Sequence, residues 1–203
     1  VPYITYERAF GYHHFVFSRN KLVNHFDLSE HWPSVASQAL DDRQSSELDD
    51  FLRNWRGGVG AVVKYWNKPE ERDSVIRREL RIPEQARVIA LFTNVVWDTA
   101  AFDRDVGFAS MWDWIETTVD WVQSRADTHL VIRIHPGEIR MKGWESEDRV
   151  MDRLQRAFPN MPSNVSVVAP ESELSSYRLI EFADTVLVYT STIGIEAAIS
   201  GRR

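Results

Sequence analysis

The sequence predicts an α/β fold built on a doubly wound parallel sheet, and three observations support that prediction. From residue 83 onward, short apolar runs alternate with amphipathic segments of helical spacing. The alternation occurs four times within about 115 residues, as expected of consecutive strand–helix units. The first run, residues 87–96, is apolar almost throughout, which is typical of a parallel strand covered on both faces.

Each of the four units contains one strand and one helix. The helix over 110–125, for example, places Met111, Ile115 and Val119 along one face. The predicted strands lie at 87–96, 130–134, 165–168 and 185–189, and the predicted helices at 110–125, 147–158, 173–183 and 191–200. Gly201 then suggests a helix C-cap that leads into a fifth strand, so we expect the chain to stop inside its domain, truncated after the fourth unit.

The first part of the chain has a different pattern of residues. Strand-forming residues surround Gly11, and helices are predicted over 46–55 and 69–80. We therefore expect residues 1–82 to be the tail of a preceding N-terminal domain plus a helical connector. Residues 83–203 are expected to form an incomplete Rossmann-like domain.

The composition excludes several classes of function. Thirty acidic residues against 24 basic ones give a formal net charge of −6, which argues against nucleic-acid binding by bulk electrostatics. Without cysteine the chain has no disulfide framework, thiolate nucleophile or cysteine-ligated zinc. No apolar run approaches the roughly 18 residues of a membrane span. We expect a cytoplasmic protein, with the inner face of the membrane as an alternative location.

Polar side chains follow the predicted strands at the edge where ligands bind in open α/β sheets, outside the carboxyl ends of the strands. Arg133 shares a strand face with His135, because side chains alternate along a strand. The predicted ligand-binding residues at this edge are Asn94, Asp98, Arg133, His135, Glu138, Thr190, Ser191 and Thr192.

The segment after the fourth strand suits a phosphate. Hydroxyls at 190–192 precede a helix, whose free amides and dipole attract anions, and Gly194 allows close backbone approach. Glu196 interrupts an apolar helix and lies four residues after Thr192, where a capping box does not explain it. A carboxylate that accepts ribose hydroxyls explains it. The alternative is that Ser191 is an ordinary N-cap and Glu196 a solvated charge.

His135 has two interpretations. It is either a hydrogen-bond donor to a phosphate or leaving group, supported by Arg133, or part of a structural His-Pro turn. A metal site that combines His129, His135 and Glu138 is disfavoured, because the two histidines lie at opposite ends of one strand, roughly 20 Å apart. We therefore expect no metal site.

Three stretches of the sequence, in this order along the chain, resemble the capsule polysaccharide biosynthesis proteins. They are FTNVVWD at 92–98, LVIRIHPGE at 130–138 and YTSTIGIEAA at 189–198. These proteins are glycosyltransferases of the GT-B type, similar to capsular Kdo transferases and more distantly to bacterial sialyltransferases. The resemblance covers residues 87–203, and residues 2–20 resemble the last part of the family's N-terminal domain.

The resemblance implies a two-domain, metal-independent enzyme that transfers a sugar from a nucleotide-activated donor to a growing surface polysaccharide or its lipid acceptor. His135 matches the His-Pro motif that contacts the donor phosphate. Ser191 and Thr192 match the hydroxyl pair at that phosphate, and Glu196 matches the acid that binds ribose. The donor is expected to be CMP- or UDP-linked, with no other cofactor. The general base belongs to the family's N-terminal domain, where Glu7 is the candidate and an ordinary ion pair the alternative.

The resemblance also sets expectations about partners. The expected partners are the nucleotide sugar and a glycan or glycolipid acceptor. A peripheral membrane or assembly-complex partner is a further expectation, and no nucleic-acid partner is expected. The isolated chain is expected to be inactive. One alternative is an enzyme on the same architecture, a nucleotide-sugar epimerase or a glycerophosphotransferase. Another alternative, of a different class, is a non-catalytic nucleotide-binding module of polysaccharide assembly. Fold alone does not separate them.

Overall fold

The computed structural model describes residues 1–8, 14–23, 29–56, 72–98, 105–140, 143 and 146–202. The chain divides into two compact units, residues 1–64 and residues 65–203. Within the described ranges, no helix has the length and apolar character needed to cross a lipid bilayer.

The first unit contains an antiparallel strand pair. β1 (Ile4–Arg8) runs opposite β2 (Phe15–Arg19), with Tyr6 directly across from Phe17. The two rings pack against each other with their centroids 6.1 Å apart. Strands are therefore present on both sides of Gly11, as predicted, while Gly11 itself lies outside the described residues.

Two helices follow in the described part of this unit, α1 (Trp32–Val35) and α2 (Asp42–Arg56). α2 begins before its predicted start at residue 46, because Asp41 and Gln44 cap each other reciprocally. The Asp41 carboxylate accepts the N–H of Gln44 at 2.7 Å, and the Gln44 side-chain oxygen accepts the N–H of Asp41 at 3.0 Å. This capping box satisfies amides that otherwise lack a partner at a helix start.

The second unit is an α/β unit with a four-stranded parallel sheet. Its strands are β3 (Arg87–Phe92), β4 (Thr128–Arg133), β5 (Val165–Val168) and β6 (Thr185–Val188), in the spatial order β5-β4-β3-β6. Its helices are α3 (Asp73–Glu79), α4 (Met111–Gln123), α5 (Gly137–Arg140), α6 (Val150–Ala157), α7 (Ser176–Phe182) and α8 (Ile193–Ile199). The predicted α/β class and parallel sheet are confirmed.

Helices cover both faces of this sheet. On one face, alternate β3 residues Val88 and Ala90 join an apolar cluster with residues of α3, α7 and α8. On the other face, Leu91 joins a second cluster with residues of α4 and α6. Apolar packing on both sides of β3 explains why its sequence is apolar almost throughout.

α3 belongs to the second unit. Ile76 is fully buried in the same apolar cluster as Val88. The helix predicted over 69–80 therefore contributes to the core beneath the sheet, while residues 69–71 lie outside the described part. Burial of this helix ties the segment before β3 to the α/β unit.

The strand order reverses at β3. The chain passes from β3 to β4 and β5 on one side, and then returns to place β6 on the other side of β3. In open α/β sheets such a reversal opens a crevice at the carboxyl ends of the central strands, where ligands bind. The loops after β3 and β6 therefore define the candidate site.

Candidate functional site

Two residues at the end of β3 hold the loops after β4 and β6 by hydrogen bonds. Thr93 Oγ1 accepts the N–H of His135, in the loop after β4, at 3.1 Å. Asn94 Nδ2 donates to Thr190 Oγ1, in the loop after β6, at 2.9 Å, and the Thr190 N–H donates to Asn94 Oδ1 at 3.4 Å. Thr93 and Asn94 are both buried. The three loops form one connected edge, so His135 and Ser191 lie at the same edge of the sheet.

His135 is held as a neutral ring. Its Nδ1 accepts the N–H of Gly137 at 2.9 Å, so the ring proton lies on Nε2. Burial lowers the pKa of His135 to about 4, while the Asp98 carboxylate opposes this shift and the Arg133 guanidinium adds to it. At neutral pH the residue therefore carries an uncharged Nε2–H at the ligand edge.

The turn between β6 and α8 uses its own oxygens to satisfy the first amides of α8. Ser191 Oγ accepts the N–H of Ile193 at 3.3 Å, and the Ser191 carbonyl accepts the N–H of Gly194 at 3.1 Å. The Thr192 carbonyl accepts the N–H of Glu196 at 3.2 Å. The sequence predicts free helix amides here, but these amides are paired within the turn. α8 has seven residues, and Thr192 stands at its N-cap position.

Other donors remain in the same turn. Within the residues that the structure describes, the N–H groups of Ser191 and Thr192 have no acceptor, and the Thr192 hydroxyl makes no capping bond. The Thr190 hydroxyl accepts from Asn94, so its own proton can be donated to a ligand. These groups give the crevice a set of neutral donors that an anion can use.

Gly194 serves close packing between α8 and β6. A Cβ built on this residue would lie 2.9 Å from Val188 Cγ2, at the end of β6. The sequence predicts that this small residue lets a ligand approach the backbone. The structure shows that it lets α8 pack closely against β6. A glycine at the start of the helix after a strand commonly has this role in nucleotide-binding folds.

Arg133 and Glu138 are buried and hold backbone groups. Arg133 Nη1 donates to the carbonyl of Ala169 at 2.6 Å, which fastens the loop after β5. Glu138 Oε1 accepts the N–H of Val150 at 2.8 Å, at the first residue of α6. Burial raises the pKa of Glu138, and the Val150 N–H opposes that shift. These contacts position loops, and a direct part in ligand binding stays a prediction for both residues.

Three predicted acids lie in different surroundings. Asp98 is half-buried in the loop after β3 and acts electrostatically on His135. Glu196 is half-buried in the first turn of α8, four residues after Thr192. Glu7 is exposed in β1 of the first unit, so its predicted catalytic part stays a prediction.

His129 is buried at the amino end of β4, whereas His135 follows the carboxyl end of that strand. The Ser166 hydroxyl donates to the carbonyl of Leu80 at 2.6 Å, so it accepts from His129 Nε2 at 2.9 Å. Burial, followed by the charge of Arg77, lowers the pKa of His129. This histidine therefore joins β4 to β5 and to the end of α3.

Two residues near the site have contacts that the sequence does not predict. Thr93 follows the apolar run of the central strand, and its position predicts a polar group at the ligand edge but not its bond to the loop after β4. Tyr189 directly follows β6, its hydroxyl donates to the Asp105 carboxylate, and its ring centroid lies 5.5 Å from that of Trp114. Burial, the bond to Asp105 and nearby carboxylates raise the pKa of Tyr189 to about 12. The sequence does not indicate this bond, because Asp105 lies in a loop without a periodic pattern.

Comparison with models of known protein families finds no matching family, and comparison with curated proteins finds no matching relative.

Proposed function

We propose that this chain carries the donor-binding half of a glycosyltransferase, which transfers a sugar from a nucleotide-activated donor to a surface polysaccharide or its lipid acceptor. One observation carries the proposal. Thr93 and Asn94 bind the loops after β4 and β6 to the end of β3, at the point where the strand order reverses. This is the place where nucleotides bind in open α/β sheets.

The donors at this edge suit a leaving phosphate. During transfer, the acceptor oxygen bonds to the anomeric carbon, and the bond from that carbon to the phosphate oxygen breaks. The electron pair stays on the phosphate, so negative charge develops there. In this proposal the Thr190 and Thr192 hydroxyls and the N–H groups of Ser191 and Thr192 donate to it. One such preorganised donor contributes roughly 3 kcal/mol in oxyanion-hole deletions.

His135 acts in this proposal as a neutral hydrogen-bond donor. Its pKa of about 4 means that the ring holds no second proton at neutral pH. The residue therefore stabilises the phosphate charge through Nε2–H and does not transfer a proton to the leaving group. The acceptor proton passes to a base, for which Glu7 is the candidate from the sequence.

Glu196 supplies the nucleoside contact in this proposal. Its place in the first turn of α8 puts the carboxylate on the helix that follows the crevice. Ribose hydroxyls are donors that a carboxylate accepts at short distance. The phosphate and ribose contacts then come from one turn and the helix that it starts.

Calorimetric titration with CMP, UDP and GDP tests the donor site. We expect one of these nucleotides to bind the wild type and to bind Glu196→Ala at least about tenfold more weakly, the loss expected for one charge-assisted hydrogen bond. Glu147→Ala removes an exposed carboxylate elsewhere and should leave affinity unchanged. If no nucleotide binds the folded wild-type chain, the donor-site proposal is wrong.

A further inference from the structure

A groove of about 420 Å³ lies beside the C-terminal end of α3. Its lining residues include three arginines and one glutamate, so their formal charges leave an excess of two positive charges. These residues are Arg77, Arg78, Arg81 and Glu84, and Ser74 also lines the groove. This basic groove has the charge that complements a phosphate dianion.

The backbone at this groove holds Arg81 in an unusual conformation. The N–H of Ile82 donates to the carbonyl of Arg77 at 2.8 Å, and the N–H of Arg81 donates to the carbonyl of Arg78 at 3.3 Å. This is the helix ending in which glycine normally takes the left-handed position, yet Arg81 occupies it with φ of 54°. Strain of this kind is concentrated at functional sites. The same bonds occupy the carbonyls of Arg77 and Arg78, which reduces their repulsion of an anion.

The three arginines differ in how they are held. Arg77 Nη1 donates to the carbonyl of Pro83 at 2.7 Å, and its guanidinium lies 5.1 Å from the ring centroid of Phe182. Arg77 is therefore a fixed wall of the groove. Arg78 and Arg81 are exposed, and within the described part of the chain their side chains make no hydrogen bond or ion pair. The guanidinium groups of Arg78 and Arg81 can therefore each donate hydrogen bonds to a ligand, beside the fixed charge of Arg77.

The basic groove is separate from the candidate nucleotide site. Its lining residues at 82–84 lead into the amino end of β3, whereas the nucleotide site lies at the carboxyl end of that strand. β3 has six residues, so the two ends are roughly 20 Å apart. One small ligand cannot occupy both places.

We propose that the basic groove is a second ligand site, which binds a phosphate group. Guanidinium forks donate paired hydrogen bonds to phosphate oxygens, and Arg78 and Arg81 supply two such forks. The phosphate can belong to a soluble compound or to a lipid headgroup. The site does not depend on the proposed transferase activity, since none of its residues lies at the carboxyl edge.

Titration of the full chain with inorganic pyrophosphate tests this site. The variant is Arg78→Ala/Arg81→Gly, in which glycine also relieves the left-handed backbone and so favours folding. The control is Arg43→Ala/Arg53→Ala, which removes the same number of charges from α2. We expect the wild type and control to bind, and the Arg78/Arg81 variant to bind at least about tenfold more weakly. Nucleotide affinity should be the same in all three proteins.

Vesicle sedimentation distinguishes the two sources of phosphate. Phosphatidylcholine vesicles with and without phosphatidic acid are compared for the same three proteins. Sedimentation that needs phosphatidic acid and is lost only in the Arg78/Arg81 variant supports the site and assigns it to a lipid headgroup. The proposal is overturned if neither probe binds the wild type, or if the control loses as much affinity as the variant. A wild type that binds pyrophosphate or the vesicles but no nucleotide would contradict the transferase proposal and leave this one standing. Weaker nucleotide binding in the Arg78/Arg81 variant than in the control would contradict the separation of the two sites.

Discussion

At the scale of a single residue, the pKa of the His135 ring can be predicted and measured. We expect its resonances to titrate with a pKa near 4 instead of 6.5, because burial disfavours the charged ring. Asp98→Asn removes the carboxylate that raises this pKa, so the titration should move to still lower pH. Proton NMR of the ring in both proteins measures these values. A pKa of 6.5 in the wild type would contradict the buried, neutral ring.

The same pKa shift predicts how folding stability depends on pH. The unfolded chain protonates His135 below about pH 6.5, whereas the folded chain does so only near pH 4. Stability from this residue is therefore complete at neutral pH and falls as pH decreases between these values, by up to about 3 kcal/mol. Urea unfolding of the wild type and His135→Gln isolates this contribution. The wild type should lose more stability than the variant on acidification, and parallel pH profiles would contradict the prediction.

Thr93 is predicted to position His135 through one hydrogen bond. Thr93→Val keeps the branched shape but leaves the His135 N–H without its acceptor, so we expect the free energy of unfolding to fall by about 1–3 kcal/mol. Nucleotide affinity should fall with it. Thr93→Ser keeps the acceptor and should retain nucleotide affinity, measured by calorimetry. If the serine variant loses as much affinity as the valine variant, packing of the methyl group matters and the hydrogen bond does not.

At the scale of elements, the contact between α8 and β6 leaves no room for a side chain at residue 194. In Gly194→Ala the new methyl would approach Val188 Cγ2 to 2.9 Å. Overpacking costs about 1–3 kcal/mol, more than the gain of up to about 1 kcal/mol that alanine brings to a helix. We expect a lower free energy of unfolding in urea. In a Val188→Ala background the same substitution should be neutral or stabilising, and an equal loss in both backgrounds would contradict this account.

Elements with a local apolar pattern could be predicted from the sequence, and elements that begin on polar contacts could not. β5 lies at its predicted bounds because its apolar run is short and sharply bounded. The sequence does not indicate the start of α2, because the reciprocal cap between Asp41 and Gln44 lies in a polar stretch without periodicity. It does not indicate α5 either, because four residues are too few to show a helical period.

The candidate site shows the same division. The rule that ligands bind at the carboxyl ends of strands selects Asn94, His135 and Thr190 from position alone. It cannot show that Arg133 reaches the loop after β5, because that contact depends on which strand lies beside β4. Strand order is a property of the whole chain, and the alternation of strands and helices does not determine it.

At the scale of the whole molecule, the two sheets differ in how well their backbone is protected. β4 is bonded to strands on both sides, and all its side chains are buried. β1 and β2 pair only with each other among the described residues, and most of their side chains are exposed. A two-stranded pair is marginally stable in water, whereas a central strand opens only when its unit unfolds.

Hydrogen exchange followed by NMR tests this difference. After correction for intrinsic rates, the amides of 130–133 should exchange at least about a hundredfold more slowly than those of 4–8, because they require the larger opening. β6 is bonded to a strand on one side only among the residues that the structure describes, so it should fall between these limits and serves as the internal control. Equal protection of β1 and β4 would contradict the prediction and show that the strand pair is covered by more than its own partner. Fast exchange in β4 would instead show that the parallel sheet is not the stable core on which the candidate site is built.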